Sequence, residues 1–244
     1  AARGDLEVVL GGGAKNFSDA ALEKLVQKGY AVVRTRAELM ASAPRRLLGL
    51  FTPSHMSFDR ERDPAVEPSL ADMTYKAIET LRRNPEGFFL MVEGGKIDFA
   101  GHAHDAATMA GEFAGFDAAI RVALGFAEGR SDTLLVITAD HATGGLDIGE
   151  SADLEKLRKI RISVETLGQQ ILDGKAAAEL VKEHTGLELG AEELALVEKS
   201  VADEKGGERF AVQTTLSHVL SRRLGVTWMP LDYHFGVSKN THGH

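Results

Sequence analysis

Two apolar runs of strand length, GFFLMVE (87–93) and DTLLVITAD (132–140), restrict this chain more than any other feature. Each is bounded by turn residues and is nearly continuous in apolar side chains, the pattern of strands buried on both faces of a helix-covered sheet. Between them Met109, Phe113, Phe116, Ile120 and Leu124 recur at three- and four-residue steps, so the connection reads as an amphipathic helix. Strand, crossover helix and strand point to an α/β sandwich with a mainly parallel central sheet.

The preceding text has the same rhythm. LEVVLGGG, YAVV and RRLLGLF read as strands, and RAELMASA as a short helix. SDAALEKLVQKG reads as a helix with Ser18 as N-cap and Gly29 closing it, and SLADMTYKAIETLRRN as a helix behind a Pro-Ser start signal. From about 151 to 223 the sequence is charged and helical with no strand-like run, as in ESADLEKLRKI and GAEELALVEKSVADE. The expected organisation is a core α/β portion over 1–150, a helical insertion or lid over 151–223, and a return to the core over 224–244. The opening AARGDLEVVL has neither an initiator Met nor a signal-peptide pattern, and the expectation is that the chain is a piece of a longer polypeptide.

Composition narrows the chemistry. With 244 residues and 43% apolar content the chain can build a core, and no run reaches the roughly 20 apolar residues of a membrane helix. A net charge of −8 without a basic block argues against nucleic acid as the main partner. Cysteine is absent, which excludes disulfides, thiolate zinc sites and cysteine nucleophiles. Any metal is therefore held by nitrogen and oxygen.

Ligands of open α/β sheets sit beyond the carboxyl ends of the strands. Both apolar runs lead there into ligand-type residues: Glu93, Asp98, His102, His104 and Asp105 after the first, Asp140 and His141 at the end of the second. Asp98 and His102, four apart, share one side of a helical turn. Carboxylates and imidazoles without thiolates suit an open zinc site, and a strand-end glutamate suits magnesium. Two close divalent ions are the usual clamp for displacement at phosphorus. A lone His or Asp at a strand end is more often a cap or loop hydrogen-bonder, so the reading rests on the two decorated strand ends together with the terminal histidines. GGGAKN lacks the Gly-Lys-Ser/Thr ending of a P-loop and reads as a tight strand exit. His55, His184, His218 and His234 stand alone and read as structural or surface residues.

FFLMVEGGKIDFAGHAHD and LLVITADHATGGL resemble the two metal-site motifs of the alkaline phosphatases, V-E-G-x-x-I-D-x-x-x-H and T-A-D-H-x-T-G-G. The likeness extends over about residues 6–149 and the extreme C-terminus. It implies a phosphomonoesterase with two zinc ions and one magnesium, usually a homodimer, located in the periplasm or secreted. By resemblance Asp98 and His102 are ligands of the first zinc, with His244 or His242 as the third. Asp140 and His141 match ligands of the second zinc, and Glu93 a magnesium ligand. The resemblance further implies a nucleophilic serine that passes through a phosphoserine intermediate. Its Asp-Ser-Ala motif does not occur in this chain, nor do the early Asp-Gly-Met type loop or the phosphate-clamping arginine. Phe99 stands where relatives carry Lys or His. Phosphodiesterases, sulfatases and phosphoglycerate mutases share the sandwich and similar metal pairs, but the two motif texts favour alkaline phosphatase. A non-catalytic metal-binding or partner-binding module is the reading from another class.

Overall fold

The computed structural model describes residues 6–228 and is α/β. The described residues divide into two compact units, one of residues 6–94 and 113–137, the other of 95–112 and 138–228.

The first unit is built around a parallel sheet of β1 (Val8–Gly11), β2 (Tyr30–Val33) and β3 (Arg46–Leu50) in the order β1-β3-β2. Val9 pairs with Leu48 on one side of β3, and Val32 pairs with Leu48 on the other. Alternation along β3 sends Leu47 to one face and Leu48 to the other. Leu47 packs with Val33, Leu39, Phe51 and Met73, so α2 (Arg36–Ala41) and α3 (Leu70–Leu81) cover that face. Leu48 packs with Leu25, Tyr30 and Leu50, so α1 (Asp19–Gln27) covers the opposite face. Three layers result, helices on either side of a parallel sheet, as the sequence predicts.

The helix boundaries follow local chemistry. Ser18 accepts from the Ala21 amide, and Gly29, at φ 87°, lies just beyond the end of α1. Ser69 and Asp72 form a capping box at the start of α3. Burial pushes the Asp72 carboxyl up, but Arg36 and the Ser69 cap outweigh it and hold it down at about 2. The same Arg36 contact, 2.9 Å, ties α2 to α3. The glycine run after β1 is a strand exit, with no phosphate chemistry required. A Cβ on Gly12 would lie 2.1 Å from the Ser54 carbonyl oxygen, so only glycine admits the 52–54 loop this close.

One expectation fails. Residues 88–94 and 133–139 form no strand, and Phe89, Met91, Leu134, Val136 and Ile137 are exposed. The apolar pattern describes what a segment can bury, whereas a ladder needs hydrogen-bonding neighbours, and among the described residues neither segment has one. The helix between them, α5 (Ala106–Ala127), does form, but it is apolar around most of its surface and leaves Phe113 and Leu124 exposed.

The second unit is helical: α4 (Lys96–His102) and the start of α5, then α6 (Leu154–Lys159), α7 (Val164–Leu172), α8 (Ala177–Thr185), α9 (Ala191–Lys205) and α10 (Ala211–Leu224). Its core joins Leu167, Val181, Val197, Val212 and Leu216 to Ala106 and Ala107. Asp147 and Thr227 form an isolated antiparallel bridge, and most of the return to the core expected over 224–244 lies outside the described residues.

Glu193 fastens α9 to α10. It is buried, accepts from the Gly190 amide at 2.9 Å, and takes Arg223 at 2.6 Å and Arg222 at 3.2 Å. Arg223 above all holds its carboxyl down at about 2, against an ordinary value of 4.5. A depressed carboxyl contributes stability above its unfolded pKa and loses it as pH falls toward the folded value. Glu193→Gln should therefore cost about 2 kcal/mol at neutral pH, a difference that shrinks between about pH 4.5 and pH 2. Urea denaturation of both proteins across that range checks it.

Candidate metal centre

The candidate residues of the second unit lie on two short pieces of chain, α4 and the loop at 138–146. Asp98 stands in the first turn of α4 and His102 at its end, so the four-residue spacing puts both on one side. The Asp98 Oδ2 to His102 Nε2 distance is 3.5 Å, and both side chains are about one-third exposed. On the loop, Asp140 Oδ2 lies 3.3 Å from His141 Nε2, and the Asp140 Oδ1 accepts from the His141 backbone amide. These adjacent residues can face one point because they sit past the end of the apolar run, in irregular backbone.

Thr143 joins the two pieces. Its hydroxyl is 2.6 Å from Asp98 Oδ1 and 3.3 Å from His141 Nδ1. A hydroxyl has one proton to donate. Spent on the carboxylate, it leaves the oxygen able only to accept at His141, so Nδ1 carries the ring hydrogen. The lone pair of a neutral His141 then lies on Nε2, facing the Asp140 carboxylate oxygen 3.3 Å away. Two acceptors at that distance repel unless a cation or a proton sits between them. Tetrahedral zinc with bonds of about 2.0–2.1 Å places its ligand atoms about 3.3 Å apart. Both observed separations match such an edge, so the donor set suits zinc, two ligands from each pair. Among the described residues no three His, Asp or Glu side chains converge on one point.

Close backbone approach makes the Thr143 contact possible. A Cβ on Gly101 would lie 2.9 Å from the Thr143 carbonyl oxygen, and one on Gly144, at φ 76°, would lie 2.6 Å from the Gly101 carbonyl oxygen. The glycines of the two motifs therefore serve each other.

Asp105, a ligand type by sequence, is turned inward. It is buried, and its oxygens accept from the Thr108 amide and hydroxyl and from the Val164 amide at 2.8 Å. It caps α5 and α7 together. His104, at φ 51°, stacks on Trp228 with ring centres 4.7 Å apart, and His218 lies 6.4 Å from it. Phe99 carries the Lys96 ammonium 4.5 Å from its ring centre. Glu93 is exposed and belongs to the first unit, and His242 and His244 lie outside the described residues. Sequence reasoning missed Thr143; the signal available was its place two residues after His141, between the ligand-type pair and Gly144-Gly145.

Comparison with known proteins agrees with the motif reading. The alkaline phosphatase family profile matches residues 1–165. Alkaline phosphatase 4 of Bacillus subtilis is 35% identical over 215 residues, covering 85% of this chain and 46% of that protein. Among solved structures, the cold-active alkaline phosphatase of a psychrophilic Shewanella superposes with a TM-score of 0.82 at 31% identity, over 92% of this chain and 56% of that one. A mutant of TAB5 alkaline phosphatase, described with Mg bound in its M3 site, matches with a TM-score of 0.51 at 29% identity, over 61% of this chain and 44% of its own. The chain spans about half the length of the curated relatives it matches.

Removing the Thr143 hydroxyl frees the Asp98 carboxylate and the His141 ring at once. Thr143→Val should weaken zinc binding by about 10–100-fold, the usual cost of losing a partner behind a ligand, while Thr143→Ser keeps most of it. Chelator competition on the folded proteins reads both.

Proposed function

The chain belongs to the alkaline phosphatase family, and from that premise we propose that it is the metal-holding portion of an enzyme that hydrolyses phosphate monoesters with two zinc ions and one magnesium. The observation that supports this most directly is the pair of acceptors, His141 Nε2 and Asp140 Oδ2, held 3.3 Å apart beside the Thr143 hydroxyl. Asp98 and His102 would hold one zinc, with His244 or His242 as a further ligand; Asp140 and His141 would hold the other; Glu93 would hold magnesium. Metal ions held by these residues would supply charge neutralisation for the entering and leaving oxygens of an in-line displacement at phosphorus.

The part played by the chain's own residues is positional. α4 fixes Asp98 against His102, and the Thr143 hydroxyl fixes Asp98 against the His141 ring, so little reorganisation is needed when charge develops at phosphorus. The serine that attacks phosphorus in this family has no counterpart motif in this sequence. The proposed activity, through a phosphoserine intermediate, therefore belongs to a polypeptide that carries the family's remaining length, and this chain alone should hold metal better than it turns over substrate. The reading also includes a homodimer and a periplasmic or secreted location, both carried by family resemblance. Among the described residues no helix is long and apolar enough to cross a membrane.

The rival enzyme readings differ in substrate. In a polypeptide that carries the family's remaining length, the protein should cleave an aryl phosphate monoester far faster than the matching phosphodiester or sulfate ester, and Asp140→Asn should lower kcat/KM by more than about 100-fold. Preference for the diester or the sulfate would sink the monoesterase reading. Turnover unchanged in Asp140→Asn would remove Asp140 from the site.

A further inference from the structure

The turn that closes α4 is held in a conformation its sequence does not favour. The His104 amide donates to the Gly101 carbonyl at 3.1 Å and the Asp105 amide to the Ala100 carbonyl at 2.9 Å, the paired bonds of a Schellman motif. The residue at the centre of that motif is left-handed and is usually glycine; here it is His104, at φ 51°. A side chain at positive φ persists where its surroundings over-determine it, and such residues cluster at functional sites.

Trp228 is the aromatic partner of that residue. Its indole stacks on the His104 ring, with centres 4.7 Å apart and planes 16° from parallel. The six-membered ring of the same indole lies against the loop at 138–146, so closely that a Cβ on Gly144 would come within 2.9 Å of Trp228 Cε3 and 3.0 Å of Cζ3. One side chain therefore touches both pieces of chain that carry the candidate ligands. Its place is fixed from two directions. Nε1 donates to Ser221 Oγ of α10 at 2.9 Å, and the preceding residue, Thr227, exchanges backbone hydrogen bonds of 2.8 and 3.0 Å with Asp147, just past the loop.

An indole N–H is a donor only, so Trp228 can serve a metal centre by geometry and not by coordination. His102 lies two residues before His104, and His141 three residues before Gly144. We propose that Trp228 is a positioning residue of the metal centre: in contact with His104 and Gly144 together, it sets α4 against the 138–146 loop and so fixes the Asp98–His102 pair relative to the Asp140–His141 pair. Thr143 joins the two pieces by a hydrogen bond, and Trp228 joins them by packing. The inference rests on the zinc reading of the proposed function.

The test is zinc affinity by chelator competition, with thermal unfolding of the same metal-free proteins beside it. Trp228→Leu fills space but cannot stack, and should weaken zinc binding by at least about tenfold, the usual cost of losing support behind a ligand. Trp228→Phe, which can still stack, should keep most of the affinity. His104→Gly removes the stack while giving the left-handed position the residue it favours. It should weaken zinc binding to a similar extent, with the unfolding temperature unchanged or raised. A contact that only supports the fold would lower both together. Zinc held as tightly by Trp228→Leu and His104→Gly as by the parent chain would overturn the proposal. So would a His104→Gly chain whose unfolding temperature falls along with its zinc affinity. A folded parent chain that binds no zinc would overturn the zinc reading itself and this inference with it.

Discussion

Asp105 carries the arrangement of the second unit, because a buried carboxylate is tolerated only where its oxygens are taken up. Its oxygens accept from Thr108 and from the Val164 amide 59 residues away, so one side chain takes up first-turn amides of two helices. α4 ends three residues earlier, so the capped corner also fixes His102 and, one turn back, Asp98. Ser217 of α10 adds a second tie by donating to the Ala103 carbonyl. The helical segment from 151 onward thus does more than decorate the chain: through Val164 and Ser217 it holds the helix that presents two candidate ligands.

Local chemistry made much of the fold legible. The three strands of the sheet and α1, α2 and α3 were readable because Ser18, Gly29 and the Ser69–Asp72 box mark boundaries within a few residues of themselves. The failure at 88–92 and 133–137 has the opposite cause. Phe89 and Leu134 have the apolarity of doubly buried strand residues, but burial depends on what lies opposite, and no stretch of the described chain lies opposite them.

The candidate site was legible in part for the same reason. Asp98 and His102 share a helical turn, so their spacing alone predicts their proximity, and the structure gives 3.5 Å. Asp105 belongs to the same run and is of the same chemical type, yet it faces inward, because the amide that claims it belongs to Val164. Thr143 escaped notice because a threonine is not a metal ligand; its importance lies in a single proton that cannot serve both Asp98 and His141. That limit places the ring hydrogen of a neutral His141 on Nδ1.

The central claim is that these carboxylate–imidazole pairs are held apart for a cation rather than for each other. Its most direct test is the zinc content of this chain, purified and shown to be folded by helical circular dichroism, beside His102→Ala. The account predicts about one tightly held zinc per chain, at the Asp98–His102 pair, whose third ligand by resemblance also lies in this chain, lost in His102→Ala with the helical signal unchanged. A folded chain that retains no zinc, or a His102→Ala protein that keeps all of it, would contradict the account.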